Sequence, residues 1–267
     1  MKSTLLALAI AAGVAACATA TSPTGRTQRV GAVSQQQLNQ MGAQAFAEAK
    51  AKMPQSRDAR ETGYVQCVVN AITRQLPAGL QNGWETALFV DKSPNAFALP
   101  GGKVGVNTGI FTVARNQDQL AAVIAHEVGH VISRHHDERV TRQVGAQAGL
   151  SILGALVGSQ YGQGAAQATS QLGGAAAQGL ILLPNNRTQE SEADVVGQQL
   201  MANAGFDPSQ AVNLWQNMIA ANQSRAPEFL STHPDPENRI AELRSRAGGL
   251  AATYQQARAA GRRPNCG

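Results

Sequence analysis

Residues 117–140 read QDQLAAVIAHEVGHVISRHHDERV, and the reading of this stretch decides the rest. Its apolar residues share a helical face with histidines set among them, which predicts a helix that is partly core and partly site. Inside it, His126-Glu127-Val128-Gly129-His130 matches HExxH. Residues four apart on a helix differ by about 40° in direction and about 6 Å in rise, so both imidazoles can approach one ion from one face. Glu127 points roughly 100° away, toward the open side of that ion. There it can take a proton from a water whose pKa zinc lowers to about 7. The expectation is one Zn2+ per chain, held in part by His126 and His130, with Glu127 as the catalytic base.

A third protein ligand has to come from elsewhere. Ser133 stands where the extended motif HExxHxxGxxH needs a glycine to turn the chain back. Without that turn His136 lies about 9 Å farther along the helix than His130 and faces elsewhere. His135 and His136 are therefore expected to be exposed at the helix end, favourable to its dipole. Glu190, in the helical run RTQESEADVVG (187–197), is the better candidate. It shares a face with Asp194, four residues on, which is placed to hydrogen-bond a ligand histidine and fix its tautomer. Glu192 points the other way and is expected to be a solvated charge. Three ligands and an open position describe a catalytic zinc site, whereas structural sites close with four.

Working outward, residues 1–16 (MKSTLLALAIAAGVAA) carry a basic residue, an apolar stretch and small residues, the pattern of a secretory signal. They are too short to span a bilayer unaided, and VAAC ending at Cys17 is the pattern that precedes a lipidated cysteine. Two acyl signals would hold the chain to a membrane, where one would not. Residues 17–33, small and turn-rich, read as the lipidated N-terminus and a flexible tether. A domain over 34–255 follows, then a tail over 256–267. With Cys17 modified, Cys67 and Cys266 remain. An exported pair suits a disulfide tying the tail to an early helix, two free thiols being the alternative.

Ser34 and Gln37 form a capping box that opens a helix, and a second helix is expected from about Ser56 to Leu76. ETALFVD and NAFALPGGKVGVNTGIF then read as three strands with a Gly-Gly turn between the second and third. Residues 144–183, rich in Gly, Ala, Gln and Ser, are expected to form a hairpin of small-residue helices. Helices dominate from Arg187 onward. The formal charge of +5 is spread among interspersed arginines with no long basic run, which argues against nucleic acid as a partner.

The ordered set NAFALPGG (95–102), HEVGH (126–130), ESEAD (190–194) and STHPDPENRI (231–240) resembles the gluzincin family of CAAX prenyl endopeptidases and their bacterial HtpX-like quality-control relatives, the periplasmic lipoprotein members above all. The resemblance covers roughly residues 60–245. It implies an α+β, predominantly helical fold: a zincin-like metalloprotease domain with a small sheet beside the HExxH helix. It implies zinc bound by His126, His130 and Glu190. It also implies extended substrate added as a strand along Asn95, Ala96, Phe97 and Ala98. His233 would lie near the zinc, either stabilising an oxyanion or occupying the open position. Arg239 would brace that loop or face solvent. The implied substrates are unfolded or misassembled envelope proteins, with envelope assembly machinery as a further partner. Ala18 after Cys17 suggests the periplasmic face of an outer membrane. The rival reading is a non-hydrolytic chaperone or adaptor lipoprotein on the same zinc fold; the intact Glu127 argues against it.

Overall fold

In a computed structural model the described residues are 18–146, 185–221, 233 and 238–267. The signal segment, Cys17 and all but the start of the expected 144–183 hairpin lie outside them. Two compact units divide the chain. One holds residues 18–38 and the segment after His135; the other holds residues 39–135 and 185–267.

In the first unit, β1 (Ala18–Thr21) pairs antiparallel with β2 (Thr27–Val30). Residues 18–33, expected as a flexible tether, are therefore ordered. The reason lies in polar partners on the helical segment 135–146. Glu138 accepts both Arg26 guanidinium hydrogen bonds, at 2.8 and 2.9 Å, Asp137 accepts from the Gly31 N–H at 2.8 Å, and Thr141 Oγ1 accepts from the Ala32 N–H at 3.1 Å. A loose segment would leave these groups to water; here they fix it.

Helix α1 (Gln35–Lys52) opens on the capping box, with Gln37 N–H donating to Ser34 Oγ at 3.2 Å and Ser34 N–H to Gln37 Oε1 at 2.8 Å. In the second unit, α2 (Ala59–Thr73) is capped by Asp58, which accepts from two first-turn N–H groups. A mixed sheet follows: β3 (Glu85–Phe89), β4 (Ala96–Leu99) and β5 (Lys103–Asn107) in the order β3-β5-β4, β3 parallel and β4 antiparallel to β5. Gly101 and Gly102, both at positive φ, make the expected turn between β4 and β5. Phe97 faces Gly105 across the ladder and lies over it, stacked with Phe89 and edge-on to Phe46. β4 is the sheet edge beside α3 (Gln117–Ile132).

Helix α3, capped by Asn116, is buried at every residue from Gln119 to His130, so it is the central rod of the unit and not an amphipathic surface helix. It packs on α2, on β4, on α4 (Arg187–Ala204) and on α5 (Gln210–Ala221). Helices α6 (Arg239–Gly249) and α7 (Ala251–Ala259) complete the described elements. The expected domain end at residue 255 falls inside α7, and the tail is bound. Cys67 and Cys266 form a disulfide, and Gln117 exchanges hydrogen bonds with the Cys266 N–H and the Pro264 carbonyl. Among the described residues no helix is long and apolar enough to cross a membrane.

The α3–α4 crossing is unusually close, and two glycines permit it. A Cβ on Gly129 would stand 2.9 Å from the Ala193 carbonyl oxygen, and one on Gly197 would stand 3.0 Å from the His126 nitrogen. Only hydrogen at both positions lets the backbones approach so far.

Two outcomes are expected in denaturant unfolding. Gly197→Ala, which forces the helices apart, costs about 1–3 kcal/mol. Replacing Cys67 and Cys266 by alanine, which frees the tail from α2, costs about 2–5 kcal/mol.

Candidate metal centre

Helices α3 and α4 meet at a buried cluster. His126 Nε2 and His130 Nε2 are 3.1 Å apart, His126 Nε2 is 3.3 Å from Glu190 Oε2, and His130 Nε2 is 3.4 Å from Glu190 Oε1. Donors about 2.0–2.1 Å from a zinc ion at tetrahedral angles are separated by about 3.3 Å, so these three side chains already stand at the edges of such a polyhedron. His233 joins them: one ligand atom from each of the four lies within 4.8 Å of the others. Glu190 Oε1 is buried and accepts no hydrogen bond, and two imidazole nitrogens face one another across 3.1 Å. Both features suit a cation held among these donors. The nitrogen and carboxylate donors fit zinc, so the cofactor is one Zn2+ per chain.

Charged neighbours orient these groups. Asp194 Oδ1 lies 2.9 Å from His126 Nδ1, leaving Nε2 for the ion. Arg239 donates to the same Asp194 oxygen at 2.7 Å and to Glu190 Oε2 at 3.1 Å, while its guanidinium stacks 3.6 Å over the Trp215 ring. Arg239 is 1% exposed, so it does not face solvent; the groups it holds are Asp194 and Glu190 of α4, where the expectation was the His233 loop. Its signal in the sequence was a local misfit: a cation in the first turn of α6 opposes the helix dipole, and such misfits concentrate at functional sites.

The electrostatics follow. Burial pushes the Asp194 carboxyl up, but Arg239 and the bond to His126 outweigh it and hold it below the ordinary value. Glu190 is held well below the carboxylate range, because the pull of His233 and His130 and the contacts of both ligand histidines overcome its desolvation. Burial pushes His130 down to about 3, keeping it neutral as a ligand must be. Desolvation of His126 is outweighed by its bonds to Asp194 and Glu190, which raise it to about 9. A metal ion must displace that proton.

Three expectations from sequence are corrected. Helix α3 ends at Ile132 and the chain does turn, through Ser133 and an Arg134 with φ of 56°. His135 is consequently buried rather than exposed, with Nδ1 2.7 Å from His130 Nδ1. His136 is buried too. Glu192 is not solvated: it is 4% exposed and its Oε2 lies 3.0 Å from His135 Nε2. The two histidine errors share a cause, the assumption that a helix lacking the motif's glycine continues straight; Glu192 was expected to be solvated because it faces away from Glu190, and the turn brings His135 to it.

Glu127 is buried beside the cluster, its Oε1 3.2 Å from His233 Nε2. Burial raises its carboxyl, but the nearby His233 more than offsets this and keeps it below its ordinary value, the ionised state a base requires. Asn95 accepts at its carbonyl from the Asn107 N–H at 2.9 Å, and its side chain takes the Ala96 N–H at 2.9 Å. Ala96 and Ala98 are buried and Phe97 sits in the aromatic group over Gly105. The side chains of Ala96, Phe97 and Ala98 are therefore spent on packing, and the expected substrate role of this strand would fall to its backbone.

Residues 59–247 match peptidase family M48. The chain is 39% identical over 169 residues to the mitochondrial metalloendopeptidase OMA1 of Schizosaccharomyces pombe, covering 60% of this chain and 45% of that protein. It is 38% identical over 166 residues to the beta-barrel assembly-enhancing protease of Escherichia coli K12, covering 58% and 33%. The beta-barrel assembly-enhancing protease of Yersinia pestis is 29% identical over 216 residues, 79% of this chain and 44% of that one. The chain thus spans less than half the length of these curated relatives. The matched region contains the HExxH helix, the Glu190 helix and Arg239, and the chain belongs to peptidase family M48.

Proposed function

We propose that the protein is a zinc-dependent endopeptidase that degrades misfolded or misassembled envelope proteins, tethered by lipid at Cys17 to the periplasmic face of a bacterial outer membrane. The observation that carries it is the buried Glu127, its carboxyl held below the ordinary value, standing 3.2 Å from His233 at the edge of the four-donor cluster. A chaperone or adaptor has no use for a desolvated carboxylate there. The names of the Escherichia coli and Yersinia pestis relatives support an envelope substrate, and the VAAC pattern supports the anchor.

His126, His130 and Glu190 would hold the ion, which when bound supplies the Lewis acidity that acidifies a water and polarises a carbonyl. Asp194 and Arg239 keep the ligands in register. Substrate lies extended beside the edge strand β4, its backbone paired with Asn95–Ala98 and its scissile carbonyl delivered to the cluster. Glu127 accepts the proton of the attacking water as the carbon–oxygen bond forms, then gives it to the leaving nitrogen as the carbon–nitrogen bond breaks. His233, with Nε2 3.2 Å from Glu127 Oε1, would either occupy the ion's remaining position at rest or donate to the developing oxyanion. The first role makes it a gate, so activity stays low until substrate displaces it.

Zinc content and cleavage of unfolded casein test this on wild type, Glu127→Gln and His233→Ala. Glu127→Gln is expected to keep about one zinc and lose about 10²–10⁴-fold in kcat/KM. A cleaving wild type or His233→Ala beside that inactive variant supports the protease. If all three hold zinc and none cuts, the chaperone or adaptor reading replaces it. If none holds zinc, the ligand set is wrong.

A further inference from the structure

Behind His130, on the side away from the cluster, lies a second line of buried polar groups. His130 Nδ1 meets His135 Nδ1 at 2.7 Å, and His135 Nε2 meets Glu192 Oε2 at 3.0 Å. The two rings are 4.9 Å apart at 66°, and His130, His135 and Glu192 are 2%, 0% and 4% exposed. In a continuous helix, residues five apart diverge by about 140° and about 7.5 Å of rise and do not meet. They meet here because α3 stops at Ile132 and Arg134 takes φ of 56°, a left-handed conformation that costs a non-glycine residue energy. The chain spends backbone strain to aim His135 at His130.

Proton positions along this line follow from the partners. Of two ring nitrogens at 2.7 Å, one must carry hydrogen and the other must not. The Glu192 carboxylate is an acceptor, so His135 carries its proton on Nε2 and leaves Nδ1 bare. His130 must then donate from Nδ1, which leaves its Nε2 lone pair facing His126 and Glu190. Asn185 Nδ2, 3.3 Å from that same Nε2, is a donor facing a bare nitrogen. The opposite order, with His130 protonated on Nε2, would turn an N–H toward the ion.

Resting on the reading of His126, His130 and Glu190 as zinc ligands, we propose that Glu192 and His135 are positioning residues for His130: a two-member relay that sets its tautomer and orientation and slows zinc release. The two histidine ligands are thus held differently. His126 leans on a carboxylate directly, Asp194 at 2.9 Å, whereas His130 reaches its carboxylate through a second imidazole. The placement of the two imidazoles depends on both lines.

Zinc release into excess chelator, from purified zinc-loaded wild type, His135→Phe, His135→Asn and Glu192→Gln, tests the relay, with thermal unfolding of the zinc-free proteins measured alongside. His135→Phe, which removes the acceptor, is expected to release zinc about 10–100-fold faster, and Glu192→Gln toward the lower end of that range. His135→Asn, whose amide oxygen keeps an acceptor near the Nδ1 position, recovers part of the loss. The same order is expected in the change of the visible absorption of Co2+ placed in the site. A purely structural role would lower zinc-free stability and leave release and the Co2+ spectrum alone, and that result overturns the relay. Should His135→Phe not fold, Glu192→Gln decides: release within twofold of wild type overturns the relay. A wild type that takes up neither metal overturns the ligand set beneath it.

Discussion

Everything at the site depends on how near α3 and α4 can come. Two of the proposed ligands and the proposed base sit on α3, and the third proposed ligand and two supporting carboxylates sit on α4. Gly129 and Gly197 face the opposite backbone at distances that exclude a methyl group. The crossing is therefore set by backbone contact, which is stiff, and the ligand separations inherit that stiffness. A site built on rigid helices can hold donors at the edges of a tetrahedron before the ion arrives.

The second constraint is charge. Glu127, Glu190, Glu192 and Asp194 are all buried, and desolvating four carboxylates is possible only if each is matched. Arg239 answers two of them, His135 faces Glu192, and His233 faces Glu127. The Glu190 oxygen that accepts no hydrogen bond marks the place where a dication completes the set. Arg239 holds this position because Trp215 supplies an aromatic face for its guanidinium, so the cation is stabilised from the side where no carboxylate reaches. The same network that stabilises the fold thus defines the site.

The edge strand and the centre are coupled through α3. Burying that helix on all sides places β4 beside it, and Phe97, by covering Gly105, turns the strand's side chains toward core. What β4 has to offer an extended chain is its backbone.

How much of this was legible beforehand follows from the range of each interaction. HExxH and the Glu190–Asp194 pair were readable because helical spacing alone brings residues four apart to one face, and the strands and the Gly-Gly turn were readable because alternation and positive φ are local properties. Arg239, Glu192 and His135 were misjudged or left open because their roles depend on partners 45 to 57 residues away along the chain, or on one left-handed residue that no glycine announced. The N-terminal hairpin was missed because its order comes from side chains more than 100 residues on. The sequence by itself determined the metal chemistry, the ligand candidates and the helical class; only the tertiary structure decided which buried charges face one another, because desolvation makes each such pairing a property of packing and not of spacing.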